Sequence, residues 1–289
     1  GYASATPPAV KWFPPERTGL INGIVVSGFG LASVYIAPLA SVLVSKFTVS
    51  EAMMIFGVAF LVIISLLSQL LVNPPVASSS SAGCNQTRLA SDSSWREMLS
   101  RKEFYVLWIT YFIGAGAGLT FISFAQDLGK KSLGDFAFLA VAVLAIGNAA
   151  GRILAGLISD SLGRERTIFY FLLAQSLTVA ALYFLRDKGG WPLVLLLVLL
   201  IGGNYGSNLS LFPSATKDYF GLSNFGLNYG IVFTAWGMSG LFLPWLNGKI
   251  KDITGSNDLM FLIIIALLLF AAALIKIGNP SRKESAFRT

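Results

Sequence analysis

The sequence predicts an all-α polytopic membrane protein, and three observations carry that prediction. The 289 residues are 55% hydrophobic and only 12% charged, with a mean hydropathy of +0.71, far from the balance of a soluble domain. Uncharged apolar runs of about 18 residues or more recur along the chain. Runs such as WPLVLLLVLLIGG also lack the polar–apolar alternation of a membrane barrel strand.

Each run is a candidate span. The first, 20–44, follows the aromatic segment KWFPPERT, and the second, 52–72, is stopped by Asn73, Pro74 and Pro75. Residues 73–103 then read as a solvated Ser-rich linker carrying the single Cys84 and the sequon Asn85, Gln86, Thr87, which an expected cytoplasmic side would leave unused. Six further spans follow at 104–125, 136–158, 168–185, 192–216, 226–247 and 259–275, for eight in all. GAGAG at 114–118 lies inside a span and follows no strand, so it reads as helix packing and not as a phosphate loop.

The formal charge of +7 does not point to nucleic acid, because the basic residues are scattered between spans. With the loop around Lys11 set in the cytoplasm, Lys46, Lys130, Lys131, Arg186, Lys188, Lys249 and Lys251 fall outside and the other 14 of the 21 basic residues inside. That asymmetry follows the positive-inside rule and makes both termini cytoplasmic, in a cell inner membrane or plasma membrane. One cysteine forms no internal disulfide, and the absence of histidine leaves no usual zinc or haem set and no histidine catalysis. No cofactor, metal or nucleic acid partner is expected, and an enzyme is not expected either. A monomer in the lipid bilayer is.

Arg152 is the one charged residue well inside a span. A charge at depth costs about 2.5 to 3.5 kcal/mol on insertion scales, which asks for a reason. One reading has it snorkel along its helix to the headgroups. The other makes it a fixed positive charge facing a central cavity, where a guanidinium can hold a carboxylate through two hydrogen bonds. Gly147 and Gly151 form a G-x-x-x-G pair beside it, which lets a neighbouring helix approach closely. Beyond it the chain turns through Gly156, Asp160, Gly163 and Arg164, a dense set for a short connection and a candidate gating loop. Asp160 there is suited to pair with a cationic or helix-terminal group of a neighbouring helix in one state only.

At an offset of 207 residues, Phe13, Gly19, Leu20, Gly23, Ile24, Val25 and Gly30 match Phe220, Gly226, Leu227, Gly230, Ile231, Val232 and Gly237. Six helix steps separate the copies, as in parallel-repeat transporters. The partner of the Arg152 segment would then precede residue 1. The chain is therefore expected to be an N-terminally truncated fragment that does not transport alone, with 1–72 holding the end of helix 4 plus helices 5 and 6, 73–103 the cytoplasmic linker, and 104–289 the C-terminal six-helix half and tail.

GRILAGLISDSLGRER resembles the G-x-x-x-D-x-x-G-R loop signature of the major facilitator superfamily. More narrowly, KWFPPERTGLINGIVVSGFG and NYGIVFTAWG are similar to the oxalate:formate antiporter family. The resemblance runs from about Lys11 to Lys276. It implies a major facilitator fold, helices 5 to 12 of twelve, rocking about a central site for small organic anions. It also implies that Arg152 takes the place of a substrate-binding arginine, that Trp236 stands where the oxalate exchanger has a lysine, and that Asn148 stands where related monocarboxylate transporters have an acid. One cation in place of two suits a monocarboxylate such as formate, lactate or pyruvate better than oxalate. Asn148 carries no proton and no acid lies deep in a span, so exchange is expected over proton coupling.

Tyr35, Asn204, Tyr205 and Trp236 are the remaining candidate substrate contacts, though interface anchoring or interhelical bonding also accounts for each. Gly202, Gly203, Gly206, Pro38 and Pro244 are candidate bending points. The alternative function is a transporter-like anion sensor without net transport, for which the linker leaves no signalling domain.

Overall fold

The computed structural model describes residues 17–72, 92–133, 138–186 and 190–278, besides 6, 8, 9, 12–14 and 188. Among the described residues no strand occurs. In chain order the helices are α1 (Thr18–Lys46), α2 (Val49–Ser68), α3 (Trp95–Ser100), α4 (Lys102–Leu133), α5 (Phe138–Leu162), α6 (Arg164–Leu185), α7 (Trp191–Phe220), α8 (Phe225–Thr254) and α9 (Asp258–Ile277). Seven are long and apolar enough to cross a membrane by length and composition. The eighth long helix is α1, at 29 residues.

Apolar runs locate these helices but not their ends. The run at 168–185 sits in a helix that starts at Arg164, because Arg164, Glu165 and Arg166 form its first turn. The expected charged loop thus shrinks to Gly163, whose φ of 86° and ψ of 154° lie where only glycine is comfortable. Hydropathy reports where the hydrocarbon ends, whereas backbone hydrogen bonding carries a helix on into water. The linker differs too. Residues 73–91, with Cys84 and the sequon, lie outside the described residues, but Trp95–Ser100 is helical, started by a reciprocal capping box between Ser94 and Glu97.

Ahead of α3, Asp92 accepts the N–H groups of Leu222 and Ser223, both at 3.0 Å, and the Ser223 hydroxyl. These bonds dock the linker end on the α7–α8 turn. The Ser223 hydroxyl, helped by its N–H, holds the Asp92 carboxyl below the usual carboxylate range.

Helices α4 to α9 pack as one bundle, with α5 against α7, α4 against α8 and α6 against α9. Tyr111 stacks on Phe212 at 4.2 Å and Phe121 meets Phe261 edge-on at 5.2 Å within it. Helix α1 lies across α5 and α7, and its described buried side chains all fall between Thr18 and Ser27. The only buried residue of α2 is Ala52.

Glycine sets how closely these helices approach. A Cβ on Gly151 would strike the carbonyl oxygen of Gly203, and one on Gly206 that of Asn148. On the other side of α5, Gly156 faces the Gly19 carbonyl and Gly23 faces that of Arg152. The G-x-x-x-G pair therefore packs as its spacing suggests, and Gly202 and Gly206 are taken up in contact with α5 and not free for bending alone. GAGAG likewise lies inside α4, with Gly114, Gly116 and Gly118 against Asn208, Leu243 and Tyr205.

Gly206→Val is expected to push α7 off α5 at a cost of about 1 to 3 kcal/mol, read as a lower melting temperature of the purified protein in detergent. An unchanged melting curve would mean that this approach contributes nothing to stability.

Candidate functional site

Arg152 sits on α5 ten residues before its end at Leu162, about 15 Å at 1.5 Å per residue. It is fully buried, with 0% exposure. Nε donates to Asn148 Oδ1 at 3.0 Å one turn earlier, and Nη1 donates to the carbonyl oxygen of Val26 on α1. The guanidinium carbon lies 5.3 Å from the ring of Phe29, which is itself exposed. The side chain therefore bridges α5 and α1 and does not run to the surface as snorkelling requires. The oxygens of Asn148 and Val26 are both neutral acceptors.

Two of the expected contacts meet each other. Trp236 on α8 donates its indole N–H to the Tyr205 hydroxyl on α7 at 3.1 Å and stacks on Phe233 at 5.1 Å. Tyr205 lies within electrostatic reach of Arg152, and a Cβ on Gly118 would come within 2.5 Å of its ring, so α4 holds it from behind.

The other two are not brought there. Asn204 turns its amide back to its own helix, bonding the Leu200 carbonyl oxygen at 2.9 Å, and lines a groove between α5, α6 and α7. Adjacent residues on a helix point about 100° apart, so Tyr205 and Asn204 face different neighbours. Tyr35 is exposed on α1, six residues beyond Phe29 and about 9 Å further along the axis.

The second cluster forms where α1 begins. Arg17 precedes it without a capping side chain. Asp160 of α5 supplies the cap from outside: it accepts the N–H groups of Gly19 and Leu20, both at 2.9 Å, where the helix dipole favours an anion. Arg164 pairs with Asp160 at 2.7 Å and with Asp218 of α7 at 2.9 Å. Lys217, buried, donates to Thr18 Oγ1 at 2.6 Å. A Cβ on Gly19 would come within 2.7 Å of Asp160 Oδ1, so the cap requires glycine there.

The four residues of the expected gating loop thus lie at one junction of α1, α5, α6 and α7. Phe29, Asn22, Lys217 and Asp218 were missed as parts of these clusters. Asn22, fully buried and bonded to Ser214 Oγ at 2.8 Å, carried a usable signal as an amide amid apolar residues. For Asp218 no local signal exists, since its role depends on α7 reaching α6.

Comparison with known proteins gives the family and the fold. The family model described as Major Facilitator Superfamily matches residues 1–244. The chain is 28% identical over 296 residues to the oxalate:formate antiporter of Oxalobacter formigenes, covering 98% of this chain and 68% of that one. It is 25% identical over 315 residues to monocarboxylate transporter 12 of Xenopus laevis, covering 98% and 68%. Among solved structures, a point variant of the fucose:proton symporter FucP of E. coli aligns with a TM-score of 0.67 at 13% identity, over 96% of this chain and 73% of that one, a likeness of fold. The chain spans between 59 and 68% of the length of three such curated relatives.

Proposed function

Because this chain belongs to the Major Facilitator Superfamily, we propose that the whole protein is a secondary carrier of small organic anions, exchanging monocarboxylates by alternating access. The observation that carries this reading is the fully buried Arg152, a permanently charged guanidinium ten residues inside the end of α5 that bonds to Asn148 and to Val26 of α1. A carboxylate is the small ligand that matches a planar, permanently charged donor.

We read α1 and α2 as transporter helices 5 and 6 and α4–α9 as the C-terminal half, with the Asp160 end cytoplasmic. Trp236 and Tyr205 then form a wall that supplies aromatic surface and a hydroxyl in place of a second cation, which favours formate, lactate or pyruvate over oxalate. Asn148, bonded to Arg152, carries no titratable proton, which favours exchange over proton coupling there. The name of the Oxalobacter formigenes relative supports carboxylate exchange. That of the Xenopus laevis relative supports the monocarboxylate class.

Counterflow tests the proposal. Proteoliposomes of the full-length protein, loaded in turn with formate, lactate, pyruvate or oxalate, are expected to accumulate the labelled monocarboxylate several-fold faster than oxalate. Equal leak with all four, or exchange of oxalate alone, overturns the reading.

A further inference from the structure

The groove that receives Asn204 has no part in the anion site. It holds 490 Å³ between α5, α6 and α7, with Gly151, Leu154, Ile158, Tyr170, Ala174 and Gly203 among its walls. Two of the polar side chains that line it are already satisfied within their own helices: Asn204 by the Leu200 carbonyl oxygen and Thr178 by that of Ala174 at 2.7 Å. The lining thus suits hydrocarbon in preference to a polar ligand. Leu154, Ile158 and Tyr170 are exposed, so the groove opens sideways from the bundle. Helix α1 packs on α5 through Gly156 and the Arg152 backbone, positions outside the lining of this groove.

Its dimensions match one leaflet. From Ile158 to Gly147 the α5 wall rises through eleven residue steps, about 16 Å, against half of a hydrocarbon core of about 30 Å. One helical turn beyond Ile158 and one turn before Tyr170, Leu162 and Arg166 line a second cavity of 360 Å³, together with Arg164, Glu165, Asp218 and Tyr219. Arg164 is held there by Asp160 and Asp218, and Glu165 accepts the Tyr219 hydroxyl. Arg166 is exposed, and among the described residues no hydrogen bond or ion pair engages it.

We propose that the α5–α6–α7 face binds one anionic phospholipid, its acyl chain in the apolar groove and its phosphate on Arg166. The inference requires only that the helices span a membrane and is independent of the anion carried. A single basic side chain at the membrane surface favours an anionic lipid by roughly fivefold.

Native mass spectrometry of the full-length protein, delipidated in detergent and offered phosphatidylglycerol or phosphatidylcholine, reads this directly. The wild type is expected to retain the first about five times better. Arg166→Gln, at an exposed position, is expected to abolish that preference, and Ala174→Trp, which fills the groove, to lower retention of both lipids while keeping their ratio. Equal retention by the wild type, an unchanged ratio in Arg166→Gln, or undiminished binding in Ala174→Trp overturns the proposal.

Discussion

Arg152→Ala is expected to abolish counterflow of the carried carboxylate, while Arg152→Lys keeps a measurable fraction. Truncating one partner of a buried, hydrogen-bonded charge pair costs about 2 to 5 kcal/mol, which is roughly 30- to 5000-fold in affinity. Lysine restores the charge but not the planar pair of donors, so it recovers attraction without bidentate geometry. Arg152 also ties α5 to the Val26 carbonyl oxygen of α1, so a folding defect is a competing cause of lost transport. A melting curve separates the two: Arg152→Ala with near-native melting and no exchange marks a substrate contact. Native exchange by Arg152→Ala would end the role assigned to it.

Asp160→Asn is expected to loosen the junction of α1, α5, α6 and α7, which under the proposed alternating access closes one end of the bundle. The carboxylate caps α1 through Gly19 and Leu20 and neutralises Arg164, and the substitution removes the charge from both. A charge at a partly buried helix terminus is worth up to about 2 kcal/mol, so the equilibrium between closed and open ends should shift by up to roughly 30-fold. Ser210, fully buried beside the Gly19 carbonyl oxygen at 3.2 Å, reports that shift. In a protein with Cys84 replaced, Ser210→Cys should react with a maleimide faster when Asp160→Asn is present, and exchange should slow because the closed state is less populated. Unchanged labelling together with unchanged exchange would reduce Asp160 to an ordinary helix cap.

Much of this site was legible before the structure because membranes punish exceptions. An arginine in an uncharged run is costly wherever the helix points, so Arg152 stands out from one dimension alone. Tyr205 and Trp236 were suggested by resemblance and residue type, and they meet. Asn204 and Tyr35 were suggested on the same grounds and do not join them, since residue type says nothing about the direction a side chain leaves its helix. Phe29 lies near the guanidinium through the crossing of α1 over α5, which no spacing within α1 encodes.

The sequence by itself determined that the chain spans a membrane with helices, where those helices run, which family it belongs to and that Arg152 is exceptional. Hydropathy, helix-stopping residues and the cost of a buried charge are properties of short segments. The tertiary structure alone decided that Asp160 caps α1, that Arg164 reaches Asp218, and that Tyr205 and Asn204 face different neighbours. The first two pairings join residues 54 to 141 positions apart, and all three outcomes depend on helix rotation and depth. Backbone contact at Gly19, Gly151 and Gly206 sets that register, and it exists only once the helices have met.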